Sequence, residues 1–214
     1  MRFQIKLIAY FLGIFCVGIN AADAMDFIAT KVGQELNYEG TIKINNDIKE
    51  MSMKIKVIEP YEHNGEKWIG HRIEVNSDDK KNVQIKYFRV DDDGIYCIAE
   101  SKSESDMPKI LGNPYLVIPI PPEPGKKWKV ETKEGNKKLR LNYCIIKTGV
   151  DLEINGRTFK TVHITSEGTA SIYGIDVPTK RDTWLVPEYG KLKQITTQTV
   201  FKNNTVAELE LTLE

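Results

Sequence analysis

The chain carries no excess of charge: 30 Lys and Arg balance 30 Asp and Glu over 214 residues. A neutral balance leaves no electrostatic footprint for nucleic acid. Beyond residue 24, no apolar run approaches the roughly 20 residues that a membrane-spanning helix needs. Cysteine is scarce, at 3 residues, and no C-x-x-C spacing provides for thiol redox catalysis. Histidine is equally scarce: His63, His71 and His163 fit neither H-E-x-x-H nor any other metal-ligand spacing. No G-x-S-x-G elbow gives Ser166 or Ser171 a nucleophile context, and no glycine-rich phosphate loop opens a helix. On these absences the expectation is a protein with no catalytic residue, no metal and no cofactor. Helical periodicity is also nearly missing. Two short candidates, 27–32 and 103–111, lack a full apolar stripe, and Pro108 interrupts the second.

What is present begins with an address. Arg2 and Lys6 precede an apolar stretch over 7–19, and Ala22-Asp23-Ala24 matches the small-x-small pattern of signal cleavage. Residues 1–24 therefore read as a cleaved signal peptide, with Cys16 a small apolar member of its core. Bulky Phe15 just before Cys16 argues against lipid attachment there. Residues 25–214 read as one domain, exported and most simply periplasmic. An oxidising compartment permits a disulfide between Cys97 and Cys144, although spacing alone leaves two separate buried thiols equally open.

The dominant sequence period is two. Leu36, Tyr38, Gly40, Ile42 and Ile44 share one parity, as do Met51, Met53, Ile55 and Val57. Near the C-terminus Ala207, Leu209, Leu211 and Leu213 oppose Glu208, Glu210 and Thr212. Strict alternation marks strands with one apolar and one wet face, which is antiparallel behaviour. Asn64-Gly65, Asp93-Gly94 and Asn155-Gly156 fall between such runs at hairpin distance, and Asn203-Asn204 precedes the last one. The expected fold is mainly β: a large curved antiparallel sheet, a meander or open half-barrel of about a dozen strands, with little helix.

Exceptions to the alternation point to possible contact residues. Trp68 shares the parity of Arg72 and Glu74, while "VQIKYFRV" (with Tyr87) and "YLVIPI" (with Tyr115) are apolar on both parities. Trp128 and Trp184 sit in strands among charged neighbours. Trp68, Tyr87, Tyr115, Trp128 and Trp184 are therefore the candidate ligand-binding residues, and ordinary core is the alternative for each. Lys126, Lys127 and Lys129 surround Trp128, where an anionic head group or plain solvent would suit them. Asp91-Asp92-Asp93, followed by Gly94, reads as a solvated hairpin tip.

One device recurs: a glycine, one or two polar residues, then a strand. Gly33 precedes Leu36 and Tyr38, Gly125 precedes Trp128 and Val130, and Gly190 precedes Leu192 and Ile195. The middle copy follows Pro119, Pro121, Pro122 and Pro124. Proline cannot donate to a central ladder, so 115–120 reads as an edge segment and 121–124 as a stiff crossing. The motifs "IATKVGQELNY", "VDDDGIY", "IPIPPEPGKKWKV", "INGRTFKTVHI" and "WLVPEYGKLKQI" appear in that order. Their order resembles that of a group of exported bacterial β-proteins of unknown function, which look like distant kin of the LolA-type periplasmic lipoprotein carriers. The resemblance covers most of 25–214. It departs at Leu36, where the group carries tryptophan, and at Ala29 and Thr30, where it carries proline. It implies an open antiparallel half-barrel that holds acyl chains on its concave face. The helices that close that face in the carriers have no counterpart in this sequence. The functional expectation is a non-enzymatic exported binding protein for a lipid or other apolar ligand. The alternative is an envelope protein with a filled core that docks a protein partner, and a hydrolase ranks last.

Overall fold

The computed structural model describes residues 28–44, 47–77, 80–134, 137–172, 175–187, 189–200 and 205–214. The expected signal peptide, residues 1–24, and the turn expected at Asn203-Asn204 lie outside them. The described chain forms twelve strands: β1 (Glu35–Ile44), β2 (Asp47–His63), β3 (Glu66–Ser77), β4 (Lys80–Asp91), β5 (Gly94–Ser101), β6 (Lys109–Pro119), β7 (Lys127–Glu134), β8 (Lys137–Ile154), β9 (Arg157–Ile172), β10 (Ile175–Val186), β11 (Gly190–Val200) and β12 (Thr205–Leu213). No helix occurs among the described residues. Of the two helical candidates, the described part of the first, from residue 28, is a bend and turn before β1, and the second is a turn running into β6. Neither had an apolar stripe to bury.

All twelve strands belong to one sheet, in the order β6-β5-β4-β3-β2-β1-β12-β11-β10-β9-β8-β7. Each strand pairs antiparallel with its neighbours in sequence, except that β6 and β7 share no ladder, and β1 pairs with β12, so the two ends of the chain meet mid-sheet. The sheet curls until its free edges, β6 and β7, come together, and the result is a nearly closed barrel. Bulges help bend it, among them one between Ile58 and Tyr61 and two on the β8–β9 pair. Glycines help as well. A Cβ at Gly40 would overlap the Glu210 carbonyl oxygen, and one at Gly168 the Arg140 carbonyl oxygen. Only glycine permits backbones to approach so closely at a kink.

The alternating positions face inward as expected. Tyr38, Ile42, Met53, Val57, Leu209 and Leu211 are all buried in one large core. The Asn-Gly hairpins also form as expected, with φ of 52° and 83° at Asn64-Gly65 and 52° and 72° at Asn155-Gly156. Asp93-Gly94 differs. Gly94 is already the first residue of β5, opposite Asp91, and its φ is not in the left-handed region. A side chain there would collide with Leu116 of β6, so packing, not turn geometry, requires this glycine. The three glycine corners do use positive φ: 84° at Gly33, 84° at Gly125 and 75° at Gly190.

Candidate functional site

The proline stretch lies at the seam of the barrel. Residues 120–126 join β6 to β7, the two strands that no ladder connects. Gly125 N–H donates to the Ile145 carbonyl (2.7 Å), docking the corner against β8. Across the seam, Trp128 Nε1–H donates to the Leu116 carbonyl (3.1 Å) while its ring stacks on Tyr143 (5.0 Å, 14°). Lysines on β7 and a Pro114-containing bulge on β6 blunt both edges, as unpaired edges require.

Tyr115 sits just inside the seam. Lys86 Nζ, at 2% exposure, donates to Tyr115 Oη (2.9 Å) and pairs with Glu100 (2.9 Å). A buried ammonium needs such partners, because an unpaired charge there would be prohibitively costly. Burial pushes the Tyr115 hydroxyl well up, and pushes the neighbouring Cys97 thiol up to about 11 although Lys86 opposes this. Cys97 and Cys144 are both free thiols in the structure, so the permitted disulfide is not made. The reason is placement: Cys97 is buried inside on β5, whereas Cys144 lies on β8, on the parity opposite buried Leu141 and Ile145, with its thiol against the Ile145 carbonyl.

Trp68 and Tyr87 lie on the outward face of β3 and β4. Tyr87 alternates with inward Lys86 and Phe88 and covers Gly70 directly opposite. With Ile58, Ile85, Ile98, Tyr61 and Tyr96 they form a second, smaller cluster. Tyr61 packs against both Trp68 and Tyr87 at 5.7 Å. At 4% and 3% exposure, Trp68 and Tyr87 are already covered and present no open ring to a ligand.

Trp184 is on the outward face of β10, stacked on His163 of β9 (4.7 Å, 1°). His163 Nε2 meets Asp182 Oδ1 at 2.8 Å. Cys144 is a diagonal neighbour across β8–β9, so three catalytic residue types share one face. They do not assemble a nucleophile: the thiol contacts the Ile145 carbonyl, not the imidazole, and the face is open sheet. The five aromatic candidates thus occupy three separate places: the seam, the outward β3–β4 cluster and the outward β9–β10 face.

His71 is a further site residue, to which the sequence assigned no role. It is buried on β3, and its Nε2–H donates to the Ala29 carbonyl (2.7 Å) of the segment before β1. Burial pushes its imidazole down to about 4, an effect the bond to Ala29 partly offsets.

The described inward side chains are almost wholly buried, and a small void beside Tyr38, His71 and Phe88 amounts to about 20 Å³. One inward surface is polar: Ser166, Arg181 and Thr196 lie side by side, as do Thr179 with Gln198 and Thr183 with Gln194. All seven are at most 6% exposed. Gln198 donates to Thr179 (3.1 Å) and Gln194 to Thr196 (2.7 Å). This surface escaped sequence reasoning, although a signal existed: Trp184 and Ile195 share the parity of Asp182 and Lys193, so β10 and β11 invert the usual rule.

A wide concavity lies outside. A groove of about 880 Å³ crosses β12, β1, β2 and β3, reaching Lys81 of β4. Its walls carry Glu39, Thr41, Glu50, Ser52, Glu210 and Thr212, which cross-strand pairing sets side by side. Glu210 is paired with Lys193 and Lys81 with Glu74, whereas Glu39 and Glu50 make no ion pair among the described residues. The acidic and hydroxyl side chains on its walls suit hydrogen-bonding or cationic groups.

No family model matches the chain, and no curated protein matches it in sequence. Two solved structures resemble it. A predicted exported protein with a YmcC-like fold from Bacteroides fragilis superposes with a TM-score of 0.58, over 88% of this chain and 99% of that one, at 12% identity. A predicted lipoprotein from Parabacteroides distasonis superposes with a TM-score of 0.49, over 88% of this chain and 97% of that one, at 12% identity. By the first of these likenesses, this chain has the YmcC-like fold.

Proposed function

We propose that this chain is an exported, non-enzymatic binding protein of the cell envelope that takes its partner on the outward groove of β12, β1, β2 and β3. The observation that carries the reading is the groove itself, about 880 Å³ walled by acidic and hydroxyl side chains, against inward side chains that are almost wholly buried among the described residues. The signal-like residues 1–24 support export, with the periplasm the simplest destination. The outward His163–Asp182 pair, without a nucleophile turned toward it, supports binding over catalysis.

A second reading follows the resemblance to LolA-type carriers: an acyl chain held inside the barrel. The observation favouring it is the seam, where β6 and β7 share no ladder and separation would break few hydrogen bonds. One experiment separates the two. A photo-crosslinking residue replaces Thr41 in the groove or, as a control, Lys160 on β9, and the protein is expressed with export in its host. The groove reading expects a discrete adduct from position 41 alone and no stoichiometric acyl lipid in native mass spectrometry. A stoichiometric lipid, or equal adducts from both positions, would overturn it in favour of the carrier or of no groove partner.

A further inference from the structure

The segment 28–34, just ahead of β1, closes one end of the barrel. Ile28 and Ala29 are 3% and 2% exposed and belong to the main core. Downstream the segment is tied by main-chain bonds: Gly33 N–H to the Val57 carbonyl and Val57 N–H to the Gln34 carbonyl, both 2.9 Å. Gly33, with φ of 84°, turns the chain between this tied part and residues 28–32. Upstream of Gly33, His71 Nε2–H donates to the Ala29 carbonyl, and the Lys31 carbonyl accepts from Gln34 N–H (2.9 Å). Beneath the segment lies the small void lined by Leu36, Tyr38, Ile55, His71, Phe88 and Lys191.

We propose that residues 28–32 are an acid-released strap: protonation of His71 undocks them about Gly33 and uncovers the apolar end of the barrel. The argument rests on what surrounds the imidazole. Among the described residues, the titratable groups around it are Tyr38 of β1, Tyr189 just before β11, Lys191 of β11 and, directly across on β4, Lys86, whose ammonium is paired with Glu100. None of these four is a carboxylate, and two are amines. Phe88 lies edge-on to the imidazole at 5.1 Å. An imidazolium would still donate to Ala29, so protonation does not break that bond directly. What the new charge lacks is solvent or a counter-charge, and the strap is what keeps solvent out. The strap is also the cheapest cover to move, because the strands around it are held by full ladders.

Hydrogen exchange of the full chain, corrected for intrinsic rates, tests this between pH 7 and pH 4. With the imidazole at about 4 when docked and 6.5 when free, linkage lowers the docked-to-released ratio by roughly 20-fold at pH 5 and roughly 100-fold at pH 4. Protection of amides in 28–34 should fall accordingly, while β8 and β9 keep theirs. His71→Gln, which retains a donor without titrating, should give a pH-independent strap. Flat strap protection in the unmodified protein would overturn the proposal. So would a loss shared equally by β8 and β9, or an unchanged pH profile in His71→Gln.

Discussion

Trp128 is the main side-chain clasp on the seam, and replacing it should reveal how the barrel is closed. Trp128→Phe keeps a ring against Tyr143 but removes the Nε1–H donor to the Leu116 carbonyl. A hydrogen bond of this kind contributes about 1 kcal/mol net. Trp128→Ala also removes the stacked, half-buried ring, and losing that packing should raise the total to about 3 kcal/mol. For a domain of this size these losses lower Tm by roughly 3 °C and 9 °C. Urea unfolding followed by circular dichroism measures both, with m unchanged if the native state stays compact. The second readout is local: amides of β6 and β7 should lose exchange protection in both variants, while those of β1 and β12 keep theirs. If Trp128→Phe matches the unmodified protein and β6 and β7 stay protected, the indole bond does not hold the seam.

Two further outcomes follow from close contacts and from burial. Gly168→Ala places a Cβ onto the Arg140 carbonyl and should cost about 2 kcal/mol in a thermal melt, whereas Gly112→Ala, with nothing within 4 Å, should be nearly neutral. Cys97, its thiol held at about 11 by burial, should resist alkylation at pH 8 in the folded protein while Cys144 reacts. The same shift sets an alkaline limit. From pH 9 to 11 the unfolded chain releases the Cys97 proton and the folded chain does not, so stability falls as pH rises, by about 1.4 kcal/mol per unit from this group. An alkaline denaturation series on Cys97→Ala should lack that slope.

Much of the architecture was readable before any coordinates. Period-two alternation in β1, β2 and β12 named the inward residues, because a side-chain period of two assigns every second residue to one face. Asn64-Gly65 and Asn155-Gly156 marked hairpins through the positive φ that those turns require. The proline run announced an edge, because proline cannot serve a central ladder. Reading failed where pairing between distant strands decides. Trp184 faces outward and Gln194 inward because β10 and β11 carry polar groups on their buried parity, which composition alone does not reveal. That Tyr87 packs over Gly70 across the sheet was likewise not legible. Gly94 looked like a turn glycine, but its constraint comes from Leu116 on β6.

The amino-acid sequence by itself determined the strand class, the approximate number of strands and the main corners, because each of these depends on local backbone preference or on spacing along the chain. Only the tertiary structure decided that the chain ends meet mid-sheet through β1 and β12, that the free edges β6 and β7 come together at a seam, that the groove lies outside, and that His71 pins the segment before β1. Those features depend on which residues meet across tens of positions, and that choice is made by the register and curvature of the whole sheet.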